Sequence, residues 1–142
     1  LLSGITLAQV GLGSVHGLAS PLGAFFPIPH GVVCGTLVAS ATRINIHSMS
    51  AREPNNTALA KYWRAAEILC QRRFIDPQVA FNKLIDLLAQ WTNELALPRL
   101  SHYGLQETAL DKVIAHCRGS SMKTNPIVLT DEEIRQVLLE RL

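Results

Sequence analysis

Two histidines stand in the most apolar part of this chain. His16 and His30 lie fourteen residues apart within GLGSVHGLASPLGAFFPIPHG, Gly11 to Gly31. Neutral imidazole is the commonest side-chain metal ligand and suits iron, zinc and nickel. The rigid Pro27-Ile28-Pro29 turn fixes where His30 points. A U-turn between two helices can therefore bring both rings to one cavity. A buried histidine is also a common hydrogen-bonded core residue, and spacing alone leaves both readings open. A divalent ion would also want a carboxylate, and none precedes Glu53. As a metal site the pair is incomplete.

The elements around the pair share its apolar character. Residues 1 to 42 hold no Asp, Glu, Lys or Arg, and the first charge is Arg43. Polar residues and prolines interrupt the run (Ser3, Thr6, Gln9, Ser14, His16, Ser20, Pro21), which argues against a transmembrane helix of roughly 20 apolar residues. A signal peptide would need a basic start, which is lacking. Burial remains. Burying 42 residues completely in a 142-residue domain is difficult, so part of this segment is expected to be covered by something outside the chain. The chain also opens inside an apolar pattern, Leu1-Leu2-Ser3-Gly4-Ile5, without an initiator Met. It reads as part of a longer protein.

Composition bounds the remaining classes. The chain is 48% hydrophobic and 17% charged, an ordinary globular balance for one domain spanning 1–142. A net charge of +2 with no basic cluster gives no support to nucleic-acid binding. Cys34, Cys70 and Cys117 are odd in number and far apart, without a CxxC. They read as reduced, buried thiols of a cytoplasmic protein.

The periodicity is helical throughout. A first apolar helix is expected over residues 1 to 10, a second over 14 to 24 and a third over 30 to 48. The third carries the small residues Gly31, Gly35, Ala39 and Ala41, which permit close packing. Residues 50 to 56 read as a polar loop. A fourth helix over 57 to 72 carries Leu59, Trp63, Ala66 and Cys70. A fifth starts at Asp76-Pro77, a cap followed by first-turn proline. Its stripe of Phe81, Leu84, Leu88, Trp91 and Leu95 is expected to be core. A sixth spans 106 to 117, with Leu110, Val113, Ile114 and Cys117 inward. The last opens on the capping box Thr130-Asp131-Glu132-Glu133 and turns Ile134, Val137 and Leu138 inward. The expected fold class is all-α, a helical bundle with short connections.

The run from His16 to Gly31 resembles the signature of iron-containing, group III alcohol dehydrogenases: a glycine-rich lead-in, then His-Gly-x-Ala-His-x-Leu-Gly, then Pro-His-Gly. The likeness continues through Leu97-Pro98-Arg99-Leu100 before Tyr103-Gly104-Leu105. It ends in Asn125-Pro126 and Leu129-Thr130-x-Glu132-Glu133-Ile134. It implies that the chain is the helical C-terminal half of a two-domain enzyme. The absent N-terminal α/β domain would bind the nicotinamide dinucleotide, NAD or NADP. The ion, Fe²⁺ or Zn²⁺, would be held by an Asp and a His upstream together with His16 and His30 here. The implied reaction is hydride transfer between an alcohol or aldehyde and the nicotinamide, with the ion as Lewis acid. Phe25 and Phe26 are candidates for the substrate side or for core packing.

One departure concerns Ser20, where the family commonly places a second histidine four residues after the first. Residues i and i+4 share a helical face, so Ser20 should face the same cleft. Serine is a poor acid or base near neutral pH, which puts the family's proton route in question. His47, His102 and His116 fall outside the motif and read as surface or hydrogen-bonded residues. The third glycine of GLGSVHG is misplaced for a dinucleotide fingerprint and no strand precedes it, so no pyrophosphate site is expected here. Related enzymes of the same fold, among them maleylacetate reductase and glycerol dehydrogenase-like proteins, differ mainly upstream. A rival of another class is a non-catalytic helical interaction module. The expected partners are a small alcohol or aldehyde, the missing N-terminal domain and further copies of the chain, with neither nucleic acid nor membrane. Alone, the segment is expected to be inactive.

Overall fold

The computed structural model describes residues 11–142; the helix expected over residues 1 to 10 lies outside the described residues. Those described form helices joined by short turns, without a strand among them. Seven are α-helical: α1 (Ser14–Phe25), α2 (His30–Arg52), α3 (Thr57–Leu69), α4 (Pro77–Glu94), α5 (Leu110–His116), α6 (Ser120–Lys123) and α7 (Asp131–Leu139). Two 3₁₀ turns, Leu100–Tyr103 and Glu107–Ala109, link α4 to α5. None of the described helices is long and apolar enough to cross a membrane.

α2 is the central pillar, and two of its faces serve two cores. Val33, Leu37, Ala41, Ile44 and Met49 join Leu18 and Leu22 of α1, together with the buried faces of α5 and α7. Ile46 turns to a second cluster with Ala66 of α3 and Phe81 and Leu84 of α4. The charge-free segment thus supplies much of the chain's own core. Its remaining face, including Ser20, Gly23, Ala24 and the Pro27 to Gly31 turn, is exposed apart from Ile28.

Local signals explain most boundaries. Asp76 caps α4 by accepting from the Gln78 amide at 2.8 Å, and Asn56 caps α3 through the Ala58 amide at 2.9 Å. α2 runs to Arg52, through the start of the expected loop. Nothing in Ser50-Ala51-Arg52 breaks a helix, and the stop comes only from Pro54, which drives Glu53 out of helical geometry. α3 closes at Leu69, before the expected end at 72. Of the small residues on α2, Gly35 permits a close approach: a Cβ there would lie 2.9 Å from the Leu97 side chain. Gly31 faces open space.

The expected core stripe of α4 needs correction. Phe81 and Leu84 are buried and Leu88 is half-buried, but Trp91 is 39% and Leu95 71% exposed. The reason is length. At about 1.5 Å per residue α3 spans about 20 Å and α4 about 27 Å, so the last turns of α4 outrun the helix that covers its first ones.

The capping box of α7 is complete. Thr130 Oγ1 accepts from the Glu133 amide at 3.2 Å, and the Glu133 carboxylate accepts from the Thr130 amide at 2.7 Å. Glu133 also accepts from Ser48 at 2.6 Å and from Arg52 at 2.8 and 3.0 Å, fastening α7 to α2. Burial pushes the Glu133 carboxyl up. The hydrogen bonds from Ser48 and Thr130 and the Arg52 charge outweigh it, and the net shift is downward. A carboxyl depressed in the folded state stabilises above its unfolded pKa, about 4.3, and that stability is lost as pH falls through the folded value. Glu133→Gln should therefore cost about 1–2 kcal/mol at neutral pH. In urea unfolding, the gap from the parent should close as the pH drops below about 4; a pH-independent gap would mean that the charge contributes nothing.

Candidate metal centre

α1 begins at Ser14 behind a glycine that has no side chain to cap it. The cap comes from far along the chain. Asn125 Oδ1 accepts from the Ser14 amide at 2.9 Å, satisfying one of the free donors that every helix start presents. Asn125 Nδ2 donates to Asn45 Oδ1 and to the Ile127 carbonyl, both at 2.8 Å. Asn45 Nδ2 reaches Asn125 Oδ1 and the Tyr62 hydroxyl at 3.3 Å. Burial pushes the Tyr62 phenol up against the opposing Asn45 hydrogen bond, so the hydroxyl stays protonated. Gly17 brings α1 close to its neighbours: a Cβ there would meet Met122 Cε at 3.0 Å and the Cys117 carbonyl at 3.2 Å. His16 projects from the turn that these contacts hold.

The second histidine is placed by the proline turn. Pro29 is the N-cap of α2 and His30 its first residue. His30 is exposed and His16 half-buried. Their ring centroids lie 5.3 Å apart at an interplanar angle of 55°, so the two imidazoles converge from different helices. Cys34, one turn along α2 from His30, completes the group. Its Sγ lies 3.7 Å from His16 Nε2 and 3.5 Å from His30 Nε2. One donor atom from each of the three residues lies within 4.8 Å of the others. No carboxylate joins them among the described residues. Burial raises the Cys34 pKa. The group opens on a depression of about 360 Å³, lined by His16, Cys34, Thr42, Asn45, Tyr62 and Asn125 among others.

Sequence reasoning singled out the two histidines but read Cys34 as a reduced, buried thiol. Cys34 is half-buried beside both rings, Cys70 is half-buried elsewhere, and only Cys117 is fully enclosed. The signal available was the His30 to Cys34 spacing, since i and i+4 share a helical face. Ser20 is exposed one turn beyond His16. Phe25 and Phe26 are half-buried against the main core. The Phe25 ring takes the edge of His116 at 5.2 Å and the Lys112 ammonium at 4.1 Å. Neither phenylalanine lines the depression beside His16. His116 donates to the Lys112 carbonyl at 2.8 Å, His102 packs edge-on to Tyr103, and His47 is exposed. All three stand apart from the cluster.

The model of the Fe-containing alcohol dehydrogenase family, C-terminal, matches residues 1–142. The chain is 28% identical over 139 residues to alcohol dehydrogenase 4 of Schizosaccharomyces pombe, covering 96% of this chain and 30% of that protein. It is 31% identical over 150 residues to a 1-propanol dehydrogenase of Salmonella typhimurium, covering 99% and 38%. Thus it spans roughly a third of the length of these relatives. Among solved structures, a 1,3-propanediol oxidoreductase superposes with a TM-score of 0.84 at 23% identity, over 100% of this chain and 36% of the other. An alcohol dehydrogenase from an archaeal halo-thermophilic source in a Red Sea brine pool gives 0.78 at 22% identity, over 93% and 33%. At these identities the structures speak for the fold.

Proposed function

The chain belongs to the Fe-containing alcohol dehydrogenase family, and from that membership we propose that it is the metal-holding helical half of an NAD(P)-linked alcohol dehydrogenase. The observation that carries this reading is the convergence of His16 and His30 with donor atoms within 4.8 Å. That spacing suits a shared cation. A bound Fe²⁺ or Zn²⁺ would supply Lewis-acid polarisation of an alcohol or carbonyl oxygen. The remaining two thirds of a relative's length would carry the nicotinamide site and the carboxylate that this chain lacks. We place the enzyme in the cytoplasm, consistent with its unpaired thiols.

The chain's own residues would orient and shape the site. Asn125 and Gly17 set the first turn of α1, and hence His16. The Pro27 to Pro29 turn sets His30. Ser20 offers a hydroxyl on the exposed face of α1 but no basic nitrogen. It can hydrogen-bond a substrate oxygen, while proton transfer near neutral pH would fall to another group.

The test uses the full-length protein that contains this chain. It should oxidise short primary alcohols with NAD or NADP. Exhaustive chelation should remove at least about 10²-fold of that activity, and Fe²⁺ or Zn²⁺ should restore it. Activity untouched by a chelator that has verifiably stripped the protein of metal would refute the metal role. No nicotinamide-linked activity on any alcohol or aldehyde would refute the dehydrogenase reading.

A further inference from the structure

We infer that Cys34 is itself a metal donor, so that this chain presents a two-nitrogen, one-sulfur face in place of a pair of imidazoles. The inference rests on the metal reading above and extends it to a residue outside the histidine pair. Three observations carry it.

The first is distance. With Zn–N near 2.0–2.1 Å and Zn–S near 2.3 Å, a tetrahedral centre separates its nitrogen and sulfur donors by about 3.5 Å. Cys34 Sγ stands 3.7 Å from His16 Nε2 and 3.5 Å from His30 Nε2. The second is direction. Both rings turn the same nitrogen, Nε2, toward one sulfur, from two different helices. A thiol can donate to one ring and accept only weakly from the other. A shared cation accounts for both contacts at once.

The third is charge. A dication favours anionic donors, and beyond the carboxylate proposed for the rest of the enzyme this segment can add one only from a thiol, since residues 1 to 42 contain no Asp, Glu or Tyr. Cys34 is the only side chain in that segment able to become anionic. Coordination deprotonates a thiol outright, so Cys34 would enter as thiolate with its proton released to solvent. A thiolate donor selects a borderline-soft ion such as Zn²⁺ or Co²⁺ over Mg²⁺ or Mn²⁺.

Cobalt(II) is the probe, because thiolate ligation adds a near-ultraviolet sulfur-to-cobalt charge-transfer band to the visible bands that any low-symmetry site gives. Apo full-length protein titrated with Co²⁺ should develop both and saturate at a single equivalent. Cys34→Ser should lose the ultraviolet band, keep the visible ones and bind at least about tenfold more weakly, the scale at which even outer partners of metal ligands matter. Cys34→Asp should recover affinity without the band. Cys70→Ser should leave the spectrum unchanged, and far-ultraviolet circular dichroism should show each variant folded.

Visible bands without the ultraviolet band in the parent would overturn the role of Cys34 while leaving the histidine site standing. An ultraviolet band that survives Cys34→Ser would do the same, since the sulfur would then come from another cysteine. No cobalt spectrum at all in folded parent protein would overturn the metal reading and this inference with it.

Discussion

His16→Ala or His30→Ala in the full-length protein should remove metal and turnover together, with kcat/KM falling at least about 10³-fold. The magnitude follows from what the cation would supply. Lewis-acid catalysis contributes several kcal/mol of transition-state stabilisation, and each 1.36 kcal/mol is a factor of ten in rate. Losing about 4 kcal/mol gives the stated loss. Folding should hardly change. His30 is exposed and His16 half-buried at the edge of an open depression, and surface substitutions usually stay within about ±0.5 kcal/mol. The decisive readout is therefore metal per protein by elemental analysis, set beside kcat/KM and a urea unfolding curve. A variant that keeps its full metal content yet loses activity would assign the histidine to the substrate. A variant that keeps both would make it a surface residue.

The histidines were legible because chemistry and punctuation coincide in them. Each sits in a segment without charges, and Pro27-Ile28-Pro29 announces the turn that lets α1 and α2 face each other. Boundaries written in local chemistry were equally legible: Asp76-Pro77 opens α4, and Thr130 with Glu133 opens α7. What escaped depends on partners that no window of sequence contains. Trp91 and Leu95 keep the heptad-like spacing of a buried stripe, yet they are exposed because α3 is five residues shorter than α4. The four-residue α6 is too short for any period to register. Cys34 was visible as the i+4 neighbour of His30, but its nearness to His16 depends on how two helices cross.

Asn125 is another such case, lying 111 residues from the amide it caps, and it yields the second large prediction. Asn125→Ala should cost about 3 kcal/mol in unfolding free energy. The side chain accepts from Ser14 N and Asn45 Nδ2 and donates to Asn45 Oδ1 and the Ile127 carbonyl. Removing it strands those partners, each worth about 1–3 kcal/mol when buried and unsatisfied. The depression is open enough for water to reach at least one of them, which brings the total below the roughly 4 kcal/mol that four stranded partners would cost at minimum. At roughly 3–4 °C per kcal/mol for a domain of this size, Tm should fall by about 10 °C. Asn45 shares two of the four bonds, so Asn45→Ala and Asn125→Ala should be non-additive. The double variant should cost at least about 1 kcal/mol less than the sum. The same substitution should weaken metal binding, because the freed amide belongs to the turn that carries His16. This is what separates a site-positioning network from ordinary packing. A core defect elsewhere would lower Tm and leave the affinity of the remaining folded protein unchanged. If Asn125→Ala costs less than about 1 kcal/mol, or lowers Tm without touching affinity, then the start of α1 is held by Gly17 against Met122 and the Cys117 carbonyl, and the distant cap is incidental to the site.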